Sequence, residues 1–389
     1  MALSAKEIGR RIREVRTKLG MPPSTVAEAL GVDIGIVGSL EDGTLDPIPG
    51  DYVLIVGRLL ATDFRYFIST ELDDVEHQTR AVFRSLSDPD PNDLLAIRRF
   101  ISFCMSERDL EELLSVTRSP LPPKYQTPAH RQRLHKDQGR EGARSERRRL
   151  GLRNRPIENV FELIRSQGIR LFRYGLNDGD LSGVTVLHPR AGISVLLNYG
   201  DDLYRQFFSA AHEYGHVLFE REDITRRGCV VSYGWDKAKL IEIRANNFAA
   251  EFLLPTEALN DYSRPKDVNS LKSLIARVSR DYKVNGLTVA ISLKELGWIT
   301  ERTLRSFKRE KPVVIRRLEK QDPDIPAGLT SKQIEKRIAA IKEGISSYYL
   351  ELLRRSLTED KITFGRFAEM LDMTPDQASA FVKATRLAI

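Results

Sequence analysis

Two histidines four residues apart, His212 and His216, stand in the segment FFSAAHEYGHVLFE, residues 207–220. On a helix both imidazoles project from one face about one turn apart, so both can bind a single tetrahedral Zn2+ at about 2.0–2.1 Å. Glu213 lies beside the first of them and points toward the open coordination position, where a general base belongs. Thirty residues beyond His212 the sequence EIRANNFAAEFLLP (242–255) can supply a third ligand. Glu242 opens this helix, Asn246 lies one turn on, and Ala245, Ala249 and Ala250 keep one surface small enough for close approach to the first helix. Glu251 is the rival ligand. It lies two and a half turns past Glu242 and so faces the opposite side. Two histidines and one glutamate leave the fourth zinc position to water, the catalytic rather than the structural arrangement, with one zinc expected per chain.

Other residues nearby have chemistry to offer. Tyr214 and Tyr233 are candidate oxyanion helpers, although tyrosines at such places also serve as packing or surface residues. His188, in VLHPR at a strand end, reads as structural. Cys229 lies in RRGCVVSYGW between the two ligand-bearing segments. A thiolate there could take the fourth zinc position and hold an enzyme off, with Arg226 and Arg227 favouring the ionised form. The same cysteine also fits a small, semi-apolar place in a strand.

The elements that must position these groups are mostly helical. AKEIGRRIREVRTKLG puts Ile8, Ile12, Val15 and Leu19 on one helical face, ended by Gly20. PPSTVAEALGV restarts a helix with Ser24 or Thr25 as its cap, and DIGIVGSLEDG forms a third after the Gly31-Val32 turn. DYVLIVGRLLA and FRYFI complete a bundle over residues 1–70, whose two short helices across a tight turn have helix-turn-helix spacing. Residues 71–155 read as connecting helices and a basic linker. PIENVFELIRSQG is a short amphipathic helix closed by Gly168. Three strands follow, IRLFRY, GVTVLH and GISVLLN, and helices resume at Asp202. Helix, then sheet, then helix argues for an α+β domain over residues 156–305. Residues 306–389 read as a C-terminal helical domain. Its last part, with a tight turn at Asp372-Met373 and Thr374 as cap, could be a second helix-turn-helix or a dimerisation cap.

Of the 389 residues, 41% are hydrophobic and 30% charged, which fits a folded rather than a disordered chain. No apolar run reaches the 18 or so residues of a membrane helix. The start has no apolar core behind its basic residues, and two isolated cysteines do not make a disulfide framework, so a cytoplasmic setting is expected. The formal net charge is +7, and residues 124–155 hold 11 Lys/Arg against three acids. That run reads either as a solvated helix face or as a phosphate-binding stripe carrying Arg131, Arg133, Arg147, Arg148 and Arg149.

The stretch ending Leu40-Glu41-Asp42-Gly43 resembles an XRE/lambda-repressor-type helix-turn-helix. Its reading positions are Asp33, Ile34, Gly35 and Gly38, and helix two opens on Pro22-Pro23. Apart from Asp33, these side chains offer base edges no hydrogen-bonding group, and none offers a donor. DNA binding and a dimerisation or partner-binding role are both open for this module. The two central motifs, RQFFSAAHEYGH and EIRANNFAAEFLLP, resemble the hallmarks of the ImmA/IrrE family of metallopeptidases, with Ser209, Tyr214 and Leu254 as mild departures. The likeness extends weakly over 156–305. It implies a zincin-like domain, zinc, a cytoplasmic location, and a helix-turn-helix repressor as protein substrate, cut in a stress, phage-defence or mobile-element response. A DNA-binding regulator that keeps the peptidase fold as sensor or scaffold is the competing reading.

Overall fold

The computed structural model describes residues 3–71, 73, 76, 79, 90–126, 132–177, 181–227, 229–233, 240–309 and 320–385. Five short helices come first: α1 (Ala5–Lys18), α2 (Pro23–Leu30), α3 (Ile34–Asp42), α4 (Gly50–Leu59) and α5 (Phe64–Ile68). Ser4 caps α1 by accepting from the Glu7 N–H, and Ile12 and Val15 are buried below it. The cap expected at Ser24 or Thr25 is not used. Pro22 takes the cap position and Pro23 opens α2, where a missing N–H costs nothing because that group has no partner in a helix's first turn. Gly31, at φ 66°, turns the chain into α3, whose cap Asp33 accepts from Gly35 N at 2.7 Å. Glu41 is buried and takes two bonds from Arg16, at 2.5 and 2.9 Å, tying α3 to α1.

A long helix, α6 (Pro91–Leu113), and the basic helix α7 (Gln132–Arg149) lead to α8 (Val160–Arg165) and the sheet. Strands β1 (Arg170–Tyr174), β2 (Leu181–His188), β3 (Gly192–Asn198) and β4 (Cys229–Tyr233) lie in the order β1-β3-β2-β4. β1 is parallel to β3, while β2 is antiparallel to both β3 and β4. The fourth strand interrupts a stretch expected to be helical after Asp202. On either side of it come α9 (Leu203–Phe219), α10 (Arg221–Arg227) and α11 (Leu240–Leu253). The chain continues through α12 (Val268–Tyr282), α13 (Gly286–Glu295), α14 (Glu301–Arg309), α15 (Ser331–Lys342), α16 (Ser347–Thr358), α17 (Phe364–Met370) and α18 (Pro375–Thr385). Thr374 caps α18 by accepting from Gln377 N, as expected.

The period-two alternation of the strands sorts the molecule into two cores. Leu171, Ile193, Val195 and Leu197 face α8, α9 and α11–α14. Phe172, Val184, Val186 and Leu196 face the other way, into a core shared by the N-terminal bundle, α6 and the C-terminal helices α15–α18. The first and last parts of the chain thus meet on one side of the sheet. Among the described residues no helix is long and apolar enough to cross a membrane.

Candidate metal centre

Helix α9 begins at Asp202, whose side chain accepts from Tyr204 N at 3.0 Å, and is buried along most of its length. Its apolar face, including Phe207, Ala211 and Val217, rests in the core beneath the sheet. That leaves His212 and His216 together on the face met by α11. Gly215 makes the approach possible, since a Cβ there would stand 3.1 Å from the Phe248 ring and 3.5 Å from the Ala245 Cα. Glu242, in the first turn of α11, is thereby brought to the two imidazoles.

The geometry is that of a ligand shell. Nε2 of His212 is 3.0 Å from Nε2 of His216 and 3.1 Å from Glu242 Oε2, and His216 Nε2 is 3.5 Å from Glu242 Oε1. Ligands about 2.0–2.1 Å from a tetrahedral ion stand about 3.3–3.4 Å apart, so a Zn2+ fits among these three atoms. All three residues are buried, with His216 at 0% exposure. Glu242 Oε2 has no hydrogen-bond partner among the described residues, an expensive state for a buried carboxylate unless a cation takes it. Burial would raise the Glu242 carboxyl, but the two imidazoles beside it prevail and hold it below the ordinary carboxylate range. Burial would lower His216, and Glu220 and Glu242 prevail in turn, raising it well above the usual imidazole value. The pocket therefore favours positive charge at its centre.

Each imidazole is also held from behind. His212 Nδ1 donates to Asn246 Oδ1 at 3.0 Å, and His216 Nδ1 donates to Glu220 Oε2 at 3.0 Å. These bonds leave both Nε2 lone pairs for a metal. Glu220 is itself held by Arg244 of α11, at 2.9 Å from Nε. Neither Glu220 nor Arg244 was singled out from sequence, although Glu220 follows His216 at the same four-residue spacing as the histidines.

Glu213 is 1% exposed and accepts the Thr185 hydroxyl on Oε2 at 2.5 Å, while Oε1 has no partner among the described residues. Thr185 comes from β2, on the sheet face that covers α9. Gly183, two residues back on the same face, leaves room for this carboxylate, because a Cβ there would stand 2.7 Å from Glu213 Oε1. Thr185 and Gly183 were not anticipated either, for their role depends on strand register.

Geometry rules out three of the alternatives. Glu251 is no ligand: it accepts from Arg144 Nε at 2.9 Å and Thr256 Oγ1 at 2.6 Å. Tyr214 is fully buried on the core side of α9, with its hydroxyl on Glu146 of α7, so it does not serve as an oxyanion helper. Cys229 pairs with Val186 across β4 and β2 and packs with Val184 and Val186 in the core on the far side of the sheet from α9. It cannot reach the fourth ligand position. His188 accepts from the Arg190 and Ala191 N–H groups, a structural use. The backbone of Tyr233 pairs with Leu181, and its side chain lies outside the described residues.

The basic stripe is largely internal wiring. Arg147 is 2% exposed and donates to the carbonyls of Arg153, Phe252 and Arg155. Arg149 pairs with Glu146 and Gln167, while Arg148 is exposed and donates to Ser145 Oγ at 3.1 Å. Arg131 and the side chain of Arg133 lie outside the described residues.

Residues 164–294 match the family model of the IrrE N-terminal-like domain, Peptidase M78. That stretch holds all three ligand candidates, Glu213 and Thr185, and supports a peptidase of the ImmA/IrrE kind. No curated protein matches the chain.

Proposed function

We propose that this chain is a zinc-dependent endopeptidase, with His212, His216 and Glu242 as ligands and Glu213 as general base. The observation that carries the reading is the buried cluster of two imidazoles and a carboxylate, its ligand atoms within 4.8 Å of one another, on the helix that also bears Glu213. A nitrogen, nitrogen, oxygen donor set of this kind suits zinc in its catalytic form. When bound, the ion supplies Lewis acidity that polarises a carbonyl and acidifies water. Glu213 then takes the proton of the attacking water and returns it to the leaving amine. The Thr185 hydroxyl occupies Oε2, which fixes the carboxylate and leaves Oε1 as the proton acceptor. Asn246 and Glu220 keep the two imidazoles in the tautomer that presents Nε2.

The substrate we propose is a regulatory protein of the helix-turn-helix repressor type, in a cytoplasmic stress, phage-defence or mobile-element response. For the N-terminal bundle we propose docking of a protein partner or a second copy rather than base reading. Ile34 and Ile36 of α3 are 53% and 38% exposed, and neither carries a hydrogen-bonding group.

Metal analysis of the purified protein, followed by incubation with the repressor encoded beside its gene, tests the reading. One zinc per chain and a discrete cleavage are expected. Stoichiometric zinc retained by His212→Ala would remove the ligand assignment. A zinc-loaded protein that cut no partner and bound DNA specifically would favour the regulator instead.

A further inference from the structure

An open cleft of about 1120 Å³ lies where the C-terminal end of α7 meets the chain beyond α11, lined by Arg144, Arg147, Arg148, Arg153 and Arg155. Arg144 is paired with Glu251. For the other four, no carboxylate lies within ion-pair distance among the described residues. Arg147 and Arg155 donate to carbonyls and Arg148 to a serine hydroxyl. Some exposed arginines elsewhere have acids, Arg10 with Glu7 and Glu14 and Arg13 with Asp42, while Arg264 donates to the Gly297 carbonyl. The cleft is also built. The buried Arg147 guanidinium grips the carbonyls of residues 153 and 155 and so holds the loop that displays Arg153 and Arg155. Burial lowers Arg147 to about 10, which leaves it cationic at neutral pH. The acids on the lining, Glu251, Glu257 and Asp261, number three against five arginines.

We propose that this cleft is a docking site for an acidic segment, rich in Asp and Glu, of the protein substrate. The naming of the occupant as substrate rests on the peptidase reading above. Arginine forks bind carboxylates in pairs, which matches the chemistry of such a segment. Single-stranded nucleic acid would call for exposed aromatic faces to stack its bases. The one aromatic on the lining, Tyr282, is 5% exposed and its hydroxyl donates to Asn154 O at 2.8 Å. A duplex presents a convex cylinder, whereas this site is concave. Glu251, on the cleft wall, lies nine residues along α11 from Glu242, a rise of about 13–14 Å, and on the opposite side of that helix. A chain that followed this rise and passed half-way round the helix would cover roughly 20–25 Å, about seven extended residues.

The test uses the full chain carrying Glu213→Gln, so that binding is read without cleavage. Fluorescence anisotropy of a short Asp/Glu peptide is compared with that of a Lys peptide and a single-stranded oligonucleotide, with and without Arg148→Ser plus Arg153→Ser. The acidic peptide should bind, weaken as salt rises, and lose at least about tenfold in affinity in the double variant. Both substitutions are at exposed side chains, and an unchanged melting temperature would show the fold intact. Absent peptide binding, or binding undiminished in the double variant, overturns the proposal. So does an oligonucleotide that binds more tightly and is lost with the same two arginines. Peptide binding in a protein that never cleaves would instead sink the peptidase reading and leave the acidic site standing.

Discussion

Glu213 shares one turn of helix with His212, a candidate metal ligand, and is gripped by a threonine from a strand 28 residues away in sequence. Replacing it by Gln keeps shape and removes the proton acceptor. Glu213→Gln should therefore hold zinc and melt as the parent does, yet lose on the order of 100-fold or more in cleavage rate. Thr185→Val should keep zinc and lower the rate about tenfold through a less fixed carboxylate, and Thr185→Ser should restore it. A valine variant as active as the parent would show the hydroxyl to be only a packing detail. Glu220→Gln should weaken zinc binding about 10- to 100-fold, read by chelator competition, because the imidazole behind it loses its charged acceptor. The pairing of His212 with His216 was legible in sequence because helix geometry is local: residues four apart share a face whatever surrounds them. Tyr214 is two residues from each histidine and so on the other face, a conclusion the same geometry would have allowed. Thr185 and Cys229 were beyond that reach. Which side of a sheet a strand residue faces is set by pairing with distant strands, and a shift of one residue reverses it.

At the scale of elements, the contact between α7 and α11 carries Glu242 to its place. Gly139 is the tight point, for a Cβ there would stand 2.3 Å from Arg244 O and 2.9 Å from Phe248 N. Gly139→Ala must push the two helices apart. It should cost about 1–3 kcal/mol in stability and speed zinc loss to a chelator, since α11 moves with its carboxylate. A variant that melts earlier but keeps its zinc as long as the parent would separate packing from ligand placement. The sequence of α7 reads as a run of charge, and its packing role was hidden because the glycines at 139 and 142 look like breaks in a linker. In three dimensions they are the places where another helix and the Phe219 ring come closest.

At the scale of the whole molecule, the C-terminal region is fastened to the sheet by charge rather than by apolar contact alone. Asp324 is 6% exposed and takes Arg173 at 2.9 Å and Arg165 at 3.2 Å, while Arg173, buried against the Phe161 ring, also takes Asp322 at 2.8 Å. Residues 322 and 324 lie beyond the stretch that matches the peptidase family, yet they neutralise two arginines inside it. Burial would raise the Asp324 carboxyl, but Arg165 and Arg173 prevail and hold it well below its ordinary value. A carboxyl depressed in the folded state contributes stability that is fully present above its unfolded value of about 3.9 and is lost as pH falls through the folded value. Asp324→Asn removes that contribution and leaves Arg165, deep in the fold, with little beyond a carbonyl and the exposed Glu162. The change should cost about 3–5 kcal/mol at neutral pH, measured by urea unfolding. The gap between variant and parent should begin to narrow once the pH falls below about 4, where the unfolded carboxyl takes up its proton, and go on closing as the pH falls further toward the depressed folded value. A gap that stayed constant across that range would mean that the asparagine disturbs packing rather than charge. No gap at neutral pH would mean that the apolar core shared by the two ends of the chain holds the C-terminal region to the sheet without help from this network.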